Sequence, residues 1–295
     1  MNKGVRAVSV LAAFTVLLLA GVPTVRGADF GPSKGSLVIV GGAMKDPAIL
    51  KRFLELAGGP DQPIVVIPTA GEADKYDQTF PGLKAFRDAG ATKLTVLHTR
   101  DRMVADSPAF VEPIRQARGV FFEGGRQWRL ADAYLDTLTH KELFALLDRG
   151  GVIGGSSAGA TIQGDFLARG DTKGAEIMMG DHQQGLAFVK KVAIDQHLLK
   201  RNRQFDLVAL IEARPDLLGI GLDEDTAIVV QGDEFQVLGR SYVAIYDRQR
   251  QIPPAGKFYF LTSGDRFSLK TRQATRPSPR GAGPIDRVKD GQWGK

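Results

Sequence analysis

Ser157 stands at the centre of Gly155-Ser156-Ser157-Ala158-Gly159, a G-x-S-x-G pattern that follows the apolar run Gly151-Val152-Ile153. These residues predict a buried strand breaking into a tight turn and then a helix from Ala158, the arrangement that presents a serine hydroxyl as a nucleophile. The flanking glycines let the backbone crowd without Cβ clashes. The pattern alone also fits a structural Gly/Ser turn. Ser156 is the weaker candidate, because centring the pattern on it puts Ala158 where the second glycine belongs. A serine nucleophile needs a base, and the chain has four histidines. His98 ends a strand, His140 sits between helices and His182 lies in a polar loop. His197 closes Val192-Ala193-Ile194-Asp195-Gln196-His197, a short strand running into a polar cluster, and is the expected base; the alternative is a histidine bonded at a helix N-terminus. The imidazole in turn needs a carboxylate. Between Ser157 and His197 the choices are Asp165, Asp171, Glu176, Asp181 and Asp195, with Asp171 the first expectation and Glu176 the second. An oxyanion would be held by the Ala158 N–H with an N–H of Gly124 or Gly125, each such donor being worth about 3–4 kcal/mol of barrier. The double glycine is also what an ordinary strand-to-helix turn contains.

The elements that must position these groups alternate as βαβα. Gly35 to Gly42, Pro63 to Pro68, Leu94 to Leu97 and Gly119 to Phe122 are short apolar strands, separated by helical spacing over Ala48–Leu56 and Phe80–Asp88. Two further helical pieces, Trp128–Leu138 and Lys141–Arg149, lead into the strand before Ser157. Continuous Val/Ile runs between helices predict a mostly parallel sheet covered on both faces, an α/β fold. Ligands sit at the carboxyl ends of such strands, where Gly41-Gly42, Thr69-Ala70, Gly124-Gly125 and Ser157 all fall. After about residue 217 the texture turns to short β-rich pieces (Ile220–Asp223, Ala227–Val230, Phe235–Leu238, Tyr242–Tyr246), predicting extra strands, some of them antiparallel.

The 295 residues can bury one large α/β core. Residues 1–27 predict a cleaved export signal: Lys3 and Arg6 form the basic start, Ala7 to Gly21 the apolar stretch, and Val25-Arg26-Gly27 the approach to a cut before Ala28. That stretch is short for a span of about 20 residues, so cleavage is favoured over a membrane anchor. The chain contains no cysteine, which excludes disulfides and lipid attachment at cysteine. Residues 1–27 hold three basic and no acidic side chains, and residues 271–295 six basic and two acidic, so of the net charge of +6 only −1 belongs to residues 28–270. A near-neutral core does not offer a nucleic-acid-binding surface. The Pro-, Gly- and Arg-rich residues 271–295 have the composition of a disordered basic tail, leaving 28–270 as the single folded domain.

Taken together and in this order, Phe122-Glu123-Gly124-Gly125-Arg126-Gln127, Gly155-Ser156-Ser157-Ala158-Gly159-Ala160 and Asp195-Gln196-His197 resemble the serine peptidase family of the cyanophycinases and peptidase E. Supporting stretches are Gly35–Gly42, Ile67–Ala70 and Gly219–Ala227, so the resemblance spans roughly residues 34 to 250. It implies a class I glutamine amidotransferase-like fold with serine in place of cysteine, a metal-free acyl-enzyme mechanism without cofactors, and a homodimer. Cyanophycinases release β-Asp-Arg from a polyaspartate that carries arginine on each β-carboxyl. The resemblance implies substrate contacts from Gln127, Asp195, Gln196, Arg201 and Arg203, and guanidinium groups suit a carboxylate-rich polymer. Two departures stand out: a further arginine expected three residues after Arg203 is Asp206, and where a carboxylate is expected after Gly170-Asp171 stand Lys173 and Ala175. The expected function is thus an exported serine peptidase acting on cyanophycin, the alternatives being an aspartyl or isoaspartyl dipeptidase, an α/β-hydrolase esterase, or a binding protein of the same fold.

Overall fold

The computed structural model describes Met1 and residues 27–250, 256–278 and 281–284. The predicted export signal therefore lies outside the described residues, apart from Met1 and Gly27.

Five parallel strands form the centre of the molecule: β1 (Ser36–Val40), β2 (Pro63–Ile67), β3 (Lys93–Val96), β4 (Gly119–Phe122) and β5 (Val152–Ser156), in the spatial order β1-β5-β4-β2-β3. Both faces of this sheet are covered. In β1, Leu37 and Ile39 enter one core cluster, and Val38 and Val40 enter the other. That is why the strand reads as an unbroken apolar run: no side of it meets water, and each aliphatic side chain so buried contributes about 1.5–3 kcal/mol. The intervening helices are α1 (Pro47–Leu56), α2 (Leu83–Asp88), α3 (Arg102–Ala105), α4 (Pro108–Gln116), α5 (Gln127–Tyr134) and α6 (Leu138–Asp148). Asp46 caps α1 by accepting from the Ala48 N–H, and Pro47 takes the first helical position. α3 and α4 escape the apolar-periodicity reading, because α3 is one turn long and α4 carries a proline at its start and another, Pro113, inside it.

Beyond β5 the chain forms α7 (Ala158–Thr161), β6 (Gly164–Phe166), β7 (Val189–Asp195), α8 (Asp206–Ala213), β8 (Leu218–Leu222), β9 (Thr226–Gln231), β10 (Glu234–Gly239), β11 (Val243–Tyr246), β12 (Tyr259–Leu261), β13 (Arg266–Ser268), β14 (Gln273–Ser278) and β15 (Gly281–Pro284). The predicted late strands thus exist, but they divide. β9, β10, β13, β14 and β15 extend the main sheet antiparallel from β1, whereas β6, β7, β8, β11 and β12 build a second sheet. This division positions the site: β7 and β8 run parallel side by side, so the segments leaving their carboxyl ends arrive together beside the end of β1.

The expectation of a disordered tail from residue 271 does not hold for residues 271–278. β14 pairs with β13, Arg272 meets Asp247 at 2.6 Å and Arg276 meets Asp265 at 2.8 Å. Composition misled because these two arginines neutralise carboxylates buried in the domain, and the chain between them runs as β14 between β13 and β15.

Candidate active site

Ser157 follows β5 directly and carries φ 56° and ψ −112°, a strained conformation that costs on the order of 1–3 kcal/mol. Its N–H donates to the Val40 carbonyl at 3.0 Å, pinning the turn to the end of β1. The pattern glycine at 159 is sterically required: a Cβ there would lie 2.1 Å from the Phe122 carbonyl oxygen.

His197 sits two residues past the end of β7, with φ 53° and its N–H donating to the Gly41 carbonyl at 2.9 Å. Its Nε2 lies 2.8 Å from the Ser157 Oγ. The ring packs against the glycine turn after β1, where a Cβ on Gly42 would fall 2.4 Å from the His197 Cε1. The other three histidines are engaged elsewhere: His98 with Thr69, His140 with the Leu186 carbonyl, and His182 with Asp132 and Asp181.

The carboxylate on His197 is Glu224, whose Oε1 lies 2.8 Å from Nδ1. Neither expected acid reaches the imidazole. Asp171 accepts from the N–H groups of Lys173 and Gly174 at 2.7 and 3.2 Å and from Asp181 N–H at 3.3 Å, so it shapes its own loop. Glu176 bridges Arg169 and Arg203. Glu224 lies 27 residues beyond His197, outside the stretch between Ser157 and His197 in which an acid is expected. The signal was present in Leu222-Asp223-Glu224-Asp225-Thr226, an acidic triplet leaving a buried strand at the active end of the sheet. The two aspartates of the triplet fasten the loop: Asp223 accepts from Leu199 N–H, Lys200 N–H and Ser241 Oγ, and Asp225 accepts from Lys45 N–H and Asp46 N–H. The glutamate between them is left facing the histidine.

The His197 pKa is lowered from 6.5; burial is the main cause, the Glu224 hydrogen bond opposes it, and the positive charge of Arg201 adds to it. The imidazole is therefore neutral at pH 7, with Nδ1 donating to Glu224 and Nε2 free to accept the serine proton.

Gly124 lies against Ser157: a Cβ on it would be 3.4 Å from the Ser157 Cβ. Ala158 opens α7, and first-turn N–H groups have no partner inside the helix. Gly125 is set back, packed on the Ala70 carbonyl. Beside them Glu123 carries a carboxyl pushed up to about 7 by burial, partly offset by a hydrogen bond from the Gly124 N–H. A carboxyl raised in the folded state favours folding below the unfolded value of 4.5 and loses that contribution as pH rises through about 7. Glu123→Gln is therefore expected to remove a decline in thermal stability between those two pH values, measured by unfolding scans across pH; a decline of unchanged size would contradict this reading of Glu123.

Four of the five implied substrate contacts are engaged within the protein. The Gln127 Nε2 donates to the Ala168 carbonyl at 2.8 Å. The Gln196 Oε1 accepts from Arg203 Nη1 at 3.3 Å, and Arg203 Nη2 donates to Glu176 at 3.1 Å. Asp195 is fully buried and paired with Arg169, so it does not present a free carboxylate to a substrate. Arg201 differs: it is exposed, and its side chain makes no hydrogen bond or ion pair with another described residue.

Comparison with known proteins places the chain in a peptidase family. The profile of peptidase family S51 matches residues 37–238. The chain is 32% identical over 266 residues to a cyanophycinase of Geminocystis herdmanii (strain PCC 6308), covering 81% of this chain and 96% of that protein. To a cyanophycinase of Thermosynechococcus vestitus it is 31% identical over 263 residues, covering 81% of each. Among solved structures, a peptidase from an acI-B1 actinobacterium superposes with a TM-score of 0.62 at 25% identity, over 81% of this chain and 98% of that one. A putative peptidase E protein from Listeria monocytogenes EGD-e shares the fold, with a TM-score of 0.52 at 19% identity over 70% of this chain and 100% of that one.

Proposed function

This chain belongs to peptidase family S51 and is a serine-type peptidase, and we propose that it hydrolyses aspartyl peptides through an acyl-enzyme on Ser157, with cyanophycin the first substrate to test. The observation that carries this reading is the relay Ser157 Oγ–His197 Nε2–His197 Nδ1–Glu224 Oε1, both links 2.8 Å long.

In the proposed reaction His197 takes the proton of Ser157 as Oγ attacks the scissile carbonyl, and Glu224 steadies the imidazolium that forms. The negative charge on the former carbonyl oxygen is met by the N–H groups of Ala158 and Gly124 or Gly125. His197 then gives its proton to the leaving amine as the peptide bond breaks, which leaves the acyl group on Ser157. Water, deprotonated by the same imidazole, attacks the acyl carbon, and the imidazolium returns that proton to the Ser157 Oγ as the acid leaves. Arg201, the free cation beside His197, suits a carboxylate of an acidic substrate.

Release of β-Asp-Arg from purified cyanophycin by the full chain, followed by chromatography, tests the substrate. Dipeptide release supports it; no release from a protein whose Ser157 still reacts with a fluorophosphonate removes cyanophycin and leaves the peptidase. We further propose export of the chain, supported by Lys3, Arg6 and the apolar Ala7–Gly21, and assembly as a homodimer, supported by the family resemblance. N-terminal sequencing and sedimentation test these two.

A further inference from the structure

Arg169 has no part in the relay, yet it is among the most elaborately held side chains of the molecule. It is 1% exposed. Its Nε and Nη2 donate to the two oxygens of Asp195 at 2.7 and 2.9 Å. Nη2 also meets Asp206 at 2.5 Å, and Nη1 meets the Ala175 carbonyl at 3.0 Å and Glu176 at 3.3 Å. Its backbone is left-handed, φ 57°, and the residue before it is anchored by Gln127. Burial works against the charged guanidinium, but the hydrogen bonds to Asp195 and Asp206 outweigh it and raise its pKa.

The recess around this side chain begins two residues before His197 and borders Gln196 and Arg203. The two oxygens of Asp195, with the carboxylates of Asp206 and Glu176 and the Ala175 carbonyl, form a complement to a guanidinium fork and not to an ammonium point charge. A substrate bearing an arginine side chain would need such a recess, and here the chain's own arginine fills it. Where the resemblance leads one to expect an arginine, Asp206 stands, and it faces Arg169. The charge pattern is thus rearranged around an internal guanidinium, while of the implied contacts Arg201 stays exposed and unpaired among the described residues.

We infer that Arg169 is a specificity-determining residue that occupies the guanidinium recess beside the catalytic histidine, so that the protein cleaves aspartyl peptides without requiring arginine on the β-carboxyl. This rests on the aspartyl peptidase reading above. The experiment therefore has a binding arm and a turnover arm.

In the binding arm, Arg169→Ala is unfolded thermally with and without millimolar guanidinium chloride, methylammonium chloride serving as the control. The variant is expected to melt roughly 10 °C below wild type and to recover with guanidinium alone, while wild type responds to neither salt. If Arg169→Ala does not fold, Arg169→Ala/Asp206→Asn takes its place, since it removes one charge of each sign and keeps Asp195 as acceptor. In the turnover arm, wild type is expected to cleave polyaspartate with and without β-linked arginine at kcat/KM values within about threefold, and the vacated recess to shift that ratio about tenfold towards the arginine-bearing polymer. A wild-type preference for the arginine-bearing polymer of tenfold or more would overturn the inference, as would a folded variant that guanidinium does not rescue. Guanidinium-specific rescue with no cleavage of either polymer would support Arg169 as occupant of the recess and overturn the aspartyl substrate instead.

Discussion

Replacing Ser157 by alanine is expected to lower kcat by about 10⁶ while leaving the folded structure unchanged. The hydroxyl has one described partner, the His197 ring, and no structural element hangs on it. The backbone strain at φ 56° is common to serine and alanine, so the melting temperature should stay within a degree or two of wild type. His197→Ala is expected to cost a similar factor. Because nucleophile and base act as one unit, the double variant should be scarcely slower than either single one, and multiplying losses would separate the two residues mechanistically. Steady-state peptide release, with circular dichroism to verify folding, measures all three.

The second large effect is expected at Glu224. Glu224→Gln preserves shape but replaces the acceptor on Nδ1 by an amide, and a loss of about 10⁴ in kcat is expected with little change in KM. Asp171→Asn, by contrast, should leave kcat within a few-fold, since Asp171 bonds only to the N–H groups of its own loop. The pH profile supplies a readout that a merely structural role of Glu224 would not move. In the proposed reaction the base is neutral imidazole, so kcat/KM should rise as pH passes upward through a His197 pKa that lies below 6.5. The Glu224 carboxylate opposes the lowering of that pKa, so Glu224→Gln should move the acid limb to still lower pH. Arg201→Gln removes a positive charge that favours the neutral ring, and should move the limb up while raising KM for acidic substrates. A limb that ignores both substitutions would show that His197 is not the titrating base.

These contrasts also mark how far the sequence carries. The serine was legible because everything it needs is local: an apolar strand, a turn glycine, and a second glycine whose missing Cβ lets the helix start against Phe122. The histidine was legible for a similar reason, a short strand emptying into polar residues. The parallel strand-and-helix order placed both at one end of the sheet. The acid was not legible, because Glu224 reaches His197 only through the pairing of β7 with β8, a long-range contact that no window of residues encodes. Asp195 shows the complementary error. Its position before the histidine invites a substrate contact, but only the fold brings Arg169 across from a distant loop to bury it. The tail failed on composition: Arg272 and Arg276 are solvated residues to a sequence reader and ion-pair partners of Asp247 and Asp265 in the folded domain.

In the proposed function Ser157 is a nucleophile made reactive by His197 and Glu224. Treatment of the full chain with a fluorophosphonate, followed by intact mass and peptide mapping, tests it most directly. A single adduct is expected on the peptide containing Ser157, formed rapidly in wild type, slowly in Glu224→Gln and not at all in Ser157→Ala. An adduct on another residue, or labelling of Ser157 at the same rate when Glu224 is glutamine, would contradict it.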